Sequence, residues 1–86
     1  MTMNRRRFRI DGVKVREYRE RKGIDQTAFA ALIGVSQPYM SNVELGRKGV
    51  SAARVLVIAR ELGVSFDDIT IDTMRARRPP LGALSA

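Results

Sequence analysis

The sequence predicts an all-α fold, five short helices flanked by flexible basic termini, and three observations carry that prediction. Four stretches each open after an Asp or Ser able to cap a helix and close at a glycine. Between those marks the apolar residues recur at helical spacing. The excess positive charge lies outside them, at the two ends of the chain.

Asp11 is the first cap, and the stretch from Gly12 to Lys22 sets Val15 and Tyr18 on one face before Gly23. Asp25 caps a second helix, Gln26 to Ile33, whose apolar side is Phe29, Ala30, Leu32 and Ile33; Gly34 breaks it. Ser36 caps a third, with Met40 and Val43 inward and Gly46 as its end. Pro38 is compatible with a first turn but biases Gln37 away from helical angles, so Gln37 is either the first helical residue or the cap itself. Ser51 caps a fourth helix with a wide buried stripe of Ala52, Val55, Leu56, Ile58, Ala59 and Leu62, closed by Gly63. After Ser65, Phe66 to Ile69 make a brief fifth helix; alternation over Ile69 to Asp72 reads equally as a short strand. Beyond Thr70 the periodicity fades, and Pro79, Pro80 and Gly82 disfavour packed structure.

Eighty-six residues bound the chain to one domain with a thin core. Cysteine and histidine are absent, which excludes a disulfide framework and removes the commonest metal ligand and general base. No metal site, cofactor or enzymatic activity is expected. The apolar run Val55 to Ala59 is far below the roughly 20 residues a membrane span requires. Met1 to Arg9 has no apolar run to make a secretory signal, so a cytoplasmic protein is expected. All nine acids and nine of the sixteen bases lie between Ile10 and Met74. The net charge of +7 therefore belongs to Arg5, Arg6, Arg7 and Arg9 on one side and Arg75, Arg77 and Arg78 on the other. A neutral globule with basic arms suits a polyanion. The organisation read from this is a basic N-terminal arm (1–10), a folded domain (11–70), and a basic, Pro-containing tail (71–86) that is disordered or used in dimer contacts.

The stretch Gln26 to Gly46, QTAFAALIGVSQPYMSNVELG, joins two helices through about three residues centred on Gly34. So short a link forces a steep crossing, the helix-turn-helix arrangement. Ala30 is small enough to let the helices approach, and Gly34 can take the positive φ of the turn. Over about Asp11 to Ile69 the sequence resembles the helix-turn-helix domains of the phage repressor and Cro class, the XRE family. The resemblance rests on Gln26, Ala30, Gly34, Val35, Ser36, Glu44, Gly46, Ala59, Leu62, Gly63 and Val64. It implies a five-helix, lambda-repressor-like domain whose third helix enters the DNA major groove, acting as a repressor or Cro-like regulator in the bacterial cytoplasm or nucleoid.

Gln37 resembles the family's base-reading position, and a glutamine amide can pair with adenine in bidentate fashion. Ser41 and Asn42 lie one turn on, opposite Met40 and Val43, and Tyr39 suits a thymine methyl or a phosphate. Gln26 stands in a helix's first turn, where free amides and the dipole favour a phosphate. Arg47 and Lys48, between Gly46 and Gly49, and Arg54 are further phosphate candidates, as are Arg5, Arg6, Arg7 and Arg9. The resemblance also implies a partly buried ion pair between Arg19 and Glu44. One short helix reads too few base pairs alone, so a homodimer on a double-stranded operator is expected, with Phe66, Ile69 and Ile71 as interface candidates or Ile69 to Asp72 pairing across the two-fold axis. A second reading keeps the fold but makes the chain an antitoxin-type module whose C-terminal tail wraps a protein partner.

Overall fold

The computed structural model of the chain describes residues 7–71. Expectations for Arg5, Arg6 and the tail from residue 72 onward lie outside the described residues. In order the elements are strand β1 (Arg7–Ile10), helix α1 (Gly12–Arg21), α2 (Gln26–Ile33), α3 (Gln37–Glu44), β2 (Gly49–Ser51), α4 (Ala52–Leu62), a 3-10 turn (Asp67–Ile69) and β3 (Thr70–Ile71).

Each α-helix starts where a side-chain oxygen satisfies an amide that the helix leaves unpaired. Asp11 accepts from the Lys14 N–H at 3.2 Å and Asp25 from Ala28 at 2.7 Å. Ser36 accepts from Tyr39 at 3.1 Å and Ser51 from Arg54 at 3.3 Å. Ser36 is thus the cap of α3, and Gln37 is its first helical residue, with Pro38 accommodated in the first turn.

The all-α expectation is corrected by a three-stranded antiparallel sheet in the order β2-β1-β3. Residues 7–10 are a strand of that sheet, not part of a free arm. The reason is a period of two within the arginine-rich segment: Arg7 and Arg9 are exposed, while Phe8 is half-buried and Ile10 is buried. Phe8 meets Phe66 edge to face, ring centroids 5.0 Å apart. The fifth helix is likewise corrected to a single 3-10 turn. Ser65 and Asp68 cap one another there, Ser65 N–H donating to Oδ2 at 3.0 Å and the Asp68 N–H to the hydroxyl at 3.2 Å. The chain then leaves Thr70 in an extended conformation and pairs with β1, Thr70 opposite Ile10 and Ile71 opposite Arg9. The short-strand alternative over Ile69 to Asp72 is therefore met within the chain for Thr70 and Ile71, which pair with β1.

The core gathers residues from every α-helix and all but the shortest strand. Val15, Phe29, Met40, Val43, Val50, Val55, Ile58 and Ile69 are fully buried. Full burial of such a side chain favours folding by about 1.5–3 kcal/mol, so Ile69 is committed to the core and is not an available interface residue. Phe66, packed on Phe8, is half-buried, and only Ile71 of the three interface candidates is exposed. Leu32 and Leu56 are also corrected from buried to exposed, at 55% and 54%. On α4 the buried stripe is Val55, Ile58, Ala59 and Leu62, and Leu56 stands about 100° away from Val55 around the axis.

Candidate nucleic-acid interface

The bend between α2 and α3 is built by local chemistry. Gly34 takes φ 78° and ψ 32°, the left-handed conformation that ends a helix without a Cβ penalty. The Val35 N–H then donates to the Ala30 carbonyl at 2.9 Å and the Gly34 N–H to Ala31 at 3.2 Å, which closes the carbonyls of α2. Ser36 starts α3 immediately. Ala30 is buried at the crossing, and Met40 and Val43 turn inward. Gln37 is left exposed, with Tyr39, Ser41 and Asn42 half-buried.

Behind this surface lies an ion pair the helices hold almost out of water. Arg19 donates from Nε to Glu44 Oε2 at 2.7 Å and from Nη2 to Oε1 at 3.0 Å, and its Nη1 donates to the Ile24 carbonyl at 2.8 Å. The two side chains are 8% and 5% exposed. The hydrogen bond to Glu44 raises the Arg19 pKa above its ordinary value despite the opposing effect of burial, so the guanidinium stays charged at any pH the fold tolerates.

The pair has an extension that spacing along the sequence does not reveal. An ionised carboxylate can only accept, so Gln26 must turn its NH2 to Glu44, which it does from Nε2 to Oε1 at 3.1 Å. The Gln26 carbonyl oxygen then faces away from Glu44 and accepts from Gln37 Nε2. The chain Arg19, Glu44, Gln26, Gln37 thereby runs from α1 through α3 and α2 to the exposed start of α3, with each amide's polarity dictated by its neighbour. Gln37 retains its own carbonyl oxygen and one N–H for an outside partner.

A second feature flanks α3. The Tyr39 ring has Lys48 Nζ 5.2 Å from its centroid and Arg54 Cζ 5.4 Å from it, both within cation–π range. Tyr39 is therefore a platform that holds two cations beside the helix. The three residues border a cleft of about 640 Å³ shared with Arg7, Arg47, Gly49 and Ser51. Among the described residues no carboxylate lines it.

Gly12 is the residue that periodicity undervalues. A Cβ there would lie 2.1 Å from the Glu44 carbonyl oxygen and 2.7 Å from that of Val43, so α1 meets the end of α3 backbone to backbone. This contact sets the separation across which Arg19 reaches Glu44.

Residues 15–69 match the helix-turn-helix family HTH_3. Over 59 residues the chain is 41% identical to the propionyl-CoA carboxylase regulator of Cereibacter sphaeroides, a match that takes in 69% of this chain but only 13% of that protein. It is 33% identical over 60 residues to the uncharacterized HTH-type transcriptional regulator YazB of Bacillus subtilis, 70% of this chain and 87% of the other. Among solved structures, the restriction-modification controller protein C.AhdI from Aeromonas hydrophila is similar with a TM-score of 0.61 and 33% identity, over 66% of this chain and 83% of that one. The biofilm master regulator SinR, in complex with DNA, gives 0.60 and 26%, over 65% and 90%.

Proposed function

The chain belongs to the helix-turn-helix family HTH_3, whose members here are DNA-binding transcription regulators, and from that premise we propose that it binds duplex DNA sequence-specifically, as a repressor or Cro-like switch, with α3 in the major groove. The observation that carries the reading is the exposed Gln37 amide, held in one polarity by Gln26 and the buried Arg19–Glu44 pair. A glutamine amide offers both an acceptor oxygen and an N–H donor, the pair of groups that matches the N6 and N7 edge of adenine. Ser41 and Asn42 extend the reading face by one turn. Gln26 serves as the bridge behind Gln37, and its spare N–H is available to a phosphate. Arg47, Lys48 and Arg54, the last two held on Tyr39, bind phosphates without regard to sequence.

A homodimer on an operator with two half-sites about 34 Å apart supplies the specificity that one short helix lacks. Repression then follows from steric exclusion of a competitor for the same DNA. The test is selection of duplexes from a randomised pool by the purified chain, followed by the same selection with Gln37→Ala. Loss of preference at one base-pair position of each half-site, equivalent to about 1–3 kcal/mol, is the expected result. Identical selected sequences for both proteins would refute the assignment of Gln37, and a binding constant independent of salt would refute duplex binding itself.

A further inference from the structure

Resting on the duplex-binding reading above, we infer that β1 is a second DNA-contacting element: Arg7 and Arg9 form a fixed phosphodiester track continuous with the cleft beside α3. The strand lies outside the family match, which begins at residue 15. It is nonetheless built into the domain. Phe8 and Ile10 anchor it from the inner side, and it is the central strand of the sheet, paired with β2 from Arg7 to Arg9. Alternation then presents both arginines on the outer side, in the same direction.

What lies under them favours a ligand over a structural role. Arg7 is opposite Ser51 and Arg9 opposite Gly49, so β2 offers only a hydroxymethyl group and a hydrogen on that side. A Cβ at Gly49 would come within 3.0 Å of the Arg7 Cβ, so the bare glycine leaves the Arg7 stem room against β2. Arg7 lines the same cleft as Tyr39, Arg47, Lys48 and Arg54. Arg9 lines the adjoining groove, which shares Arg47 and Lys48 with it. Of the two carboxylates on that groove among the described residues, Glu44 is paired with Arg19, and Asp11 caps α1 through the Lys14 amide and makes no ion pair with Arg9. None of Arg7, Arg9, Arg47, Lys48 or Arg54 has an ion-pair partner among the described residues. Cations converging with no ion-pair partner among the described residues repel one another, and a strand of phosphodiesters removes that repulsion. Because Tyr39 belongs both to α3 and to the cleft, a helix seated in the major groove brings one flanking DNA strand against this surface. Arginines held on the outer face of a sheet in this way grip the backbone and read no bases.

The experiment compares the full chain with Arg7→Gln/Arg9→Gln on a duplex selected by the wild-type protein. Each phosphate contact contributes about 0.9 to the slope of log affinity against log salt, so the double variant's slope is shallower by about 1.8. Equivalently, the loss of affinity between about 50 and 200 mM salt shrinks about twelve-fold. Base preference is unchanged, and Arg7→Lys/Arg9→Lys keeps the wild-type slope. An unchanged slope in the glutamine variant overturns the inference while leaving the role of α3 intact, because Gln37→Ala is scored separately by base preference. Altered affinity for inorganic phosphate alone, without a change in the DNA slope, also overturns it. Hydroxyl-radical footprinting of the wild-type complex gives a reading that needs no variant to fold: protection of backbone beyond the half-site supports the track, and its absence overturns it.

Discussion

Replacing Gly12 by alanine sets two effects of opposite sign against each other. Helix propensity alone favours alanine, by at most about 1 kcal/mol. The tertiary contact opposes it, since the new Cβ would stand 2.1 Å from the Glu44 carbonyl oxygen, where real Cβ atoms keep at least 3.0 Å. The obstacle is backbone, so it cannot rotate aside, and α1 and α3 must separate by about 0.9 Å. Overpacking of this type costs about 1–3 kcal/mol, and a gap of about 1 Å forfeits up to roughly half of the dispersion energy along the contact. Taking the upper end, the net loss is about 2 kcal/mol. For a domain of this size that lowers Tm by about 8–16 °C, measurable by circular dichroism. Gly34→Ala is the control: nothing lies within 4 Å of its Cβ, and the cost, roughly 1–2 kcal/mol, comes only from its φ of 78°. A Gly12→Ala Tm at or above the wild-type value would show that the helices are not in backbone contact there, and the reasoning would fail.

Glu44→Ala leaves the Arg19 charge buried with only the Ile24 carbonyl, at a cost of about 3–5 kcal/mol in urea denaturation, whereas Arg19→Met/Glu44→Leu recovers most of that stability while relaxing base preference at the Gln37 position, because Gln26 has lost its acceptor. Tyr39→Leu removes the platform under Lys48 and Arg54 and weakens DNA binding several-fold in fluorescence anisotropy; Tyr39→Phe keeps the ring face and stays close to wild type. The Ser65 backbone N–H holds the Asp68 carboxyl below the usual carboxylate range. Its contribution is therefore complete above the unfolded value of about 3.9 and disappears as pH falls through the lower folded value, so Asp68→Asn should flatten the acid limb of a plot of Tm against pH.

What the sequence determines by itself is everything decided within one helical turn. Asp11, Asp25, Ser36 and Ser51 cap helices because each reaches an amide three residues on, and the Gly34 turn follows from a bond of similar range. The four α-helices, the bend between α2 and α3 and the exposed position of Gln37 were legible for that reason. Tertiary structure decides what depends on partners distant along the chain. The charges around Phe8 and Ile10 conceal a strand whose hydrogen-bonding partners lie near residues 50 and 70, so it reads as an arm until those segments are beside it. The same holds for Gly12 against Glu44, for Gln26 bridging Glu44 to Gln37, and for Tyr39 between Lys48 and Arg54. Helix propensity and capping are properties of neighbours in sequence, whereas sheet pairing, close backbone approach and amide polarity exist only once packing has brought separate segments together.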